Sequence, residues 1–120
     1  MSTQTEWIGV DLDGTLAVYD GWRGIHHIGE PIPLMVERVK AWLEKGEDVR
    51  IFTARVGPQR SDVPDEIGAI MFTIQEWCIK HIGHLLEITC QKDCYMRELW
   101  DDRCVQVIAN TGARADGRPE

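Results

Sequence analysis

The chain has 120 residues, 43% of them hydrophobic, with a formal net charge of −7 and a sequence pI near 5. That length fits one globular domain with its own core. The acidic balance argues against general nucleic-acid coating, which depends on Lys and Arg neutralising phosphates.

No run approaches the roughly 18 apolar residues of a membrane span. Residues 1–6 have neither the basic start nor the apolar stretch of a signal peptide, so the expected location is cytoplasmic, with no membrane partner. Cys78, Cys90, Cys94 and Cys104 form no CxxC pair and read as reduced thiols. Cys78, His81 and His84 recur every third residue, a spacing that rotates around a helix and converges on one metal ion less well than an i, i+4 pair does.

In chain order, Trp7-Ile8-Gly9-Val10 reads as a short buried strand running into Asp11-Leu12-Asp13-Gly14-Thr15. Two carboxylates one residue apart at the end of a buried strand repel each other and are costly to bury. A cation or a shared proton relieves that cost. Asp-Gly also marks hairpin turns, so the pair taken alone leaves a capped turn open.

Leu16 to Pro33 is a turn-rich excursion in which Tyr19, Trp22, His26 and His27 can form a flap beside the first strand. His26 and His27 read as solvent-exposed loop residues. Leu34 to Lys45 has a helical apolar period and Gly46 as its C-cap. Asp48 to Thr53 reads as a second strand ending at a Thr-Ala-Arg turn, and Val56 to Asp62 as a loop. Pro64 suits a first helical turn. Ile67, Ile70, Met71, Ile74, Cys78 and Ile82 then form an apolar helical stripe ended by Gly83. Further strands are expected over Leu85 to Cys90, Arg97 to Asp101 and Val105 to Ile108, within one domain of residues 1–111. The apolar-poor residues 112–120 read as a mobile tail.

Alternating strands and helices predict an α/β, largely parallel, Rossmann-like sheet with flanking helices. Ligands of such sheets bind outside the carboxyl ends of the strands. Asp11, Thr53, Lys92 and Asp101-Asp102 each fall at or just after such an end.

Together, Asp11-Leu12-Asp13-Gly14-Thr15, Phe52-Thr53-Ala54-Arg55, Lys92 and Trp100-Asp101-Asp102 resemble the four motifs of the haloacid dehalogenase superfamily, in order. The likeness spans Trp7 to about Ile108. It implies Mg²⁺ as cofactor and, because Asp13 is present, phosphate-ester chemistry by a phosphomonoester hydrolase. Metal ligation is implied for the Asp11 carboxylate, the Asp13 backbone carbonyl and one of Asp101 or Asp102. Asp11 becomes the nucleophile, Asp13 the general acid and base, and Thr53 and Lys92 the donors to the phosphoryl oxygens.

Gly14 and Thr15 are implied to border the substrate. Arg55 either binds it or forms an ordinary ion pair. The gap between Lys92 and the next strand is shorter than the dozen residues a parallel crossover needs. Either the crossover is truncated, or the lysine is another one: Lys80 has the more family-like distance to Asp101 but sits on the apolar-striped helix before Gly83, so Lys92 is kept for the role.

Roughly 40 residues separate the first motif from Thr53, and a similar stretch separates Thr53 from Lys92, which leaves no room between the motifs for a cap domain of ordinary size. Capless members of the family act on large phosphorylated substrates or borrow a second copy as a lid. A weaker likeness to the phosphatase domain of polynucleotide kinases leaves nucleotides, sugar phosphates and nucleic-acid ends open as substrates. A catalytically idle Mg²⁺- or phosphate-binding module, and phosphotransfer to an acceptor other than water, are the alternatives to hydrolysis.

Overall fold

A computed structural model of the protein describes residues 5–58 and 66–119. Its elements run β1 (Trp7–Asp11), α1 (Pro33–Glu44), β2 (Asp48–Phe52), α2 (Ile67–His81), β3 (Glu87–Thr89) and β4 (Met96–Trp100). The strand order is β3-β2-β1-β4. Every pairing is parallel, so the architecture is α/β and Rossmann-like.

Local chemistry sets the helix limits. Pro33 opens α1 with its backbone preset for a helix. Gly46, at φ +83°, ends that segment in the left-handed conformation that a side chain disfavours. Gly83 does the same after α2, its N–H donating to the Cys78 carbonyl at 2.9 Å. Pro64, the proposed helix opener, and Ser61 of the proposed loop lie outside the described residues.

The core forms on one face of the sheet. Ile8, Val10, Val49, Ile51 and Ile88 alternate inward and pack with Met35, Val36 and Val39 of α1 and Ile70, Ile74 and Cys78 of α2. Register places Ile8 beside Val49 and Val10 beside Ile51, so these side chains share a face. Both helices therefore cover the same side of the sheet. Right-handed crossovers explain this: β1 to β2 and β2 to β3 step in one direction across the sheet. The return from β3 to β4 crosses the other face, and there it is only residues 90–95, with no helix. The crossover is thus the truncated one.

That second face has its own anchor. Trp7 is fully buried on it, its ring 4.6 Å from the Arg50 guanidinium. The Trp7 indole Nε1 donates to Asp93 Oδ1 at 2.8 Å, which ties the crossover down. Gly9 leaves room beside it, since a Cβ there would lie 3.0 Å from Met96 Cε.

Val105 to Ile108 does not extend the sheet. Val107 instead bridges Arg114, and Ile108 N and Ala115 N donate to Ala113 O and Gln106 O, each at 2.8 Å. A partner a few residues away costs less loop entropy to reach than the edge of the sheet. The residues expected as a free tail therefore begin as one arm of this small hairpin. Among the described residues, no helix is long and apolar enough to cross a membrane.

Candidate functional site

The register brings the acidic motifs together. Asp11 lies opposite Phe52 on β2, and Val10 lies opposite Trp100 on β4. Residues just past those positions emerge side by side on one rim. The turn after β1 is held by buried Leu12 and Leu16, with Leu16 N donating to Leu12 O at 3.0 Å and Gly14 N to Ala17 O at 2.8 Å. Gly14 is required twice over. Its φ is +93°, and a Cβ there would stand 2.6 Å from Asp102 Oδ2.

Asp11, Asp101 and Asp102 each present one carboxylate oxygen, all within 4.8 Å of one another. Thr15 stitches them: its Oγ1 lies 3.3 Å from Asp11 Oδ2 and 3.4 Å from Asp102 Oδ1. The same oxygen accepts from Asp102 N at 3.0 Å. Burial first, and then the Asp101 charge, push the Asp11 carboxyl up to about 7. Burial, followed by the charge of Asp101, also raises the Cys104 thiol. Three convergent carboxylate oxygens, one each from Asp11, Asp101 and Asp102, form a hard, all-oxygen donor set, which suits Mg²⁺ or Ca²⁺ better than zinc.

The Asp13 carboxylate is engaged elsewhere. Arg55 Nε donates to its Oδ2 and Nη2 to its Oδ1, both at 2.8 Å, a bidentate pair. Arg55 is only 5% exposed. Its Nη2 also donates to the His27 backbone carbonyl at 2.9 Å, and its guanidinium lies 4.9 Å from the Trp22 ring centroid. Nη1 is buried without an acceptor among the described residues, an arrangement that native proteins rarely leave unexplained.

The remaining sequence candidates separate. Thr53 is 2% exposed and accepts from Arg55 N at 3.2 Å, capping the 3-10 turn Ala54–Val56 just behind the rim. His26 and His27 are exposed on the loop. A cavity of about 500 Å³ is lined by Asp11, Asp13, Asp101 and Asp102, and by Tyr19, Trp22, Phe52, Ala54, Arg55 and Arg103. Lys92 is not brought to it. That lysine is exposed on the short crossover, next to the Asp93 that is tethered to Trp7 at the start of β1. Lys80 lies along a different groove, beside Phe72 and Leu85.

The cations at the cavity are Arg55 and Arg103. Sequence reasoning missed Arg103 and Phe52 as cavity residues, and it missed Asp13 as the partner of Arg55. The parallel register of β1 and β2 could have revealed that pairing, because residues two or three past Asp11 and Phe52 must meet.

No family model and no curated protein matches the chain. A solved structure of a conserved protein from Bacteroides thetaiotaomicron is similar in fold, with a TM-score of 0.55 and 20% identity. The match covers 98% of this chain and 84% of that one. It establishes the α/β fold and leaves the chemistry to the site.

Proposed function

We propose that the protein is a Mg²⁺-dependent phosphomonoester hydrolase of the haloacid dehalogenase type. The observation that carries this reading is the convergence of Asp11, Asp101 and Asp102 from the ends of two adjacent parallel strands. The Asp11, Asp101 and Asp102 carboxylates, with the Asp13 backbone carbonyl, would hold the ion. Bound Mg²⁺ supplies the positive charge that lets a phosphate dianion approach a carboxylate.

In the chemical step, an Asp11 oxygen forms a bond to phosphorus in line with the ester oxygen, which departs with the bridging electron pair. The departing oxygen takes its proton from Asp13, and the product is an aspartyl-phosphate. Asp13 then removes a proton from water, whose oxygen attacks phosphorus and returns Asp11 to its free carboxylate. Arg55 is the cation best placed to bind the phosphoryl oxygens, with the Thr53 hydroxyl behind it. Transfer of the guanidinium from Asp13 to phosphate would also release the Asp13 carboxylate for its role. A cytoplasmic nucleotide, sugar phosphate or nucleic-acid end is the substrate class this reading admits.

Phosphate release from an aryl phosphate tests the reading. It should require Mg²⁺ and disappear in Asp11→Asn; no turnover across a broad phosphate panel sinks it. The bidentate hold of Arg55 on Asp13 favours a second reading, a phosphoryl-binding module without turnover. Tight beryllofluoride binding by a protein that hydrolyses nothing would select it.

A further inference from the structure

Apart from its carboxylates and Ala54, the cavity wall is aromatic and cationic: Tyr19, Trp22, Phe52, Arg55 and Arg103. Tyr19 and Trp22 are 48% and 46% exposed, so their rings reach water at the cavity and do not fill the core. The loop that carries them is fixed at its base. Val18 N donates to Glu30 O and Ile32 N to Leu16 O, each at 2.8 Å. Gly29 closes that base so tightly that a Cβ on it would collide with the Val18 carbonyl. Higher on the loop, the Arg55 guanidinium stands 4.9 Å from the Trp22 ring centroid and couples that ring to Asp13. A half-exposed indole packed against a buried guanidinium, on a loop closed at its base, is a stacking surface with less ordering entropy to lose on binding than a free side chain.

We propose that this aromatic wall is the leaving-group subsite, and that the substrate is a phosphomonoester with a planar aromatic moiety, of the nucleoside monophosphate class. The proposal rests on the phosphatase reading of the carboxylates, which fixes where the phosphoryl group sits. This part of the wall offers ring faces, Ala54, the Tyr19 hydroxyl and guanidinium donors. A base matches it on both counts. Its face stacks on an aromatic ring, and its carbonyl and ring-nitrogen acceptors suit an exposed guanidinium such as Arg103. A cavity of about 500 Å³ is also in the range that holds ligands of this size.

Calorimetric titration of the Asp11→Asn protein in Mg²⁺ with adenosine 5′-monophosphate and with ribose 5-phosphate tests the subsite, alongside hydrolysis of both by the unaltered protein. The nucleotide should bind at least about tenfold more tightly, as one stacked base provides. Trp22→Ala, or Tyr19→Ala should the first variant misfold, should shrink that ratio roughly fivefold or more, with Trp22→Phe retaining most of it. Equal affinities, binding of neither compound, or a ratio that Trp22→Ala does not move all overturn the subsite. Tight, Trp22-dependent nucleotide binding without turnover keeps the subsite and overturns the phosphatase reading. Equal turnover of the two compounds keeps the phosphatase reading and overturns the subsite.

Discussion

Replacing Asp11 by Asn should stabilise the metal-free protein, and only above a certain pH. Burial and the neighbouring Asp101 charge raise the Asp11 carboxyl from its ordinary 3.8 to about 7. Because the folded value lies above the unfolded one, folding favours the protonated form. The penalty for ionised Asp11 is therefore absent below about 3.8, grows between about 4 and 7, and is complete above about 7. At ~1.36 kcal/mol per pH unit the gross cost reaches at most ~4 kcal/mol. Asp11 is only partly buried, and solvent screening cuts this to roughly 1–2 kcal/mol.

Asn is nearly isosteric, keeps an acceptor for Thr15 and cannot ionise, so it escapes that penalty. In a domain of this size the gain corresponds to roughly 4–8 °C in Tm. Thermal melts of both proteins in EDTA, at pH 8 and near pH 4, provide the comparison. The Asn variant should melt higher at pH 8, with the difference nearly gone at the acidic end. Adding Mg²⁺ at pH 8 should then raise the unaltered protein more than the variant. A variant that melts lower at pH 8, or by the same margin at both pH values, would refute the claim that the three carboxylates are crowded for want of a cation.

Gly14→Ala should cost about 2 kcal/mol or more in chemical denaturation and weaken Mg²⁺ binding, because the added Cβ at φ +93° meets the Asp102 carboxylate. Arg55→Ala should lower the urea midpoint by the equivalent of about 3 kcal/mol, since it strands the part-buried Asp13 carboxylate. The same variant should reduce kcat/KM on an aryl phosphate by about 100-fold or more. Lys92→Ala, in contrast, should keep kcat/KM within about threefold, a surface change away from the chemistry; loss comparable to that of Arg55→Ala would return the lysine to the site. Trp7→Phe should destabilise the fold by about 2 kcal/mol, measured by denaturant titration, through the lost indole bond to Asp93 and the gap left where the fully buried indole stood.

What could be read from the sequence was what local pattern determines. Trp7 to Asp11 forms the strand it was expected to form because its alternate residues meet a core built by two amphipathic helices. Asp11 and Asp101 were legible together because each directly ends or follows a strand in a parallel sheet, where strand ends share a rim. The position of Lys92 was not legible. It depends on strand order, since β4 lies on the far side of β1 and the chain leaving β3 must cross back at once. Nor was the Asp13–Arg55 bond, which joins residues 42 apart in sequence and exists only through the pairing of β1 with β2. Val105 to Ile108 misled because β-branched composition reports strand propensity and says nothing of which partner is within reach.

If Asp11 is the nucleophile, its phosphorylated form can be captured directly, and that capture is the sharpest measurement. The protein with Mg²⁺ and excess nucleoside monophosphate would be quenched in acid within one turnover, digested, and mapped by mass spectrometry. A single phosphoryl group on Asp11, absent without Mg²⁺ and discharged as free phosphate when the quench is delayed, is the expected result. Phosphate release with no phosphorylated carboxylate, or a label that maps to another residue, would contradict it.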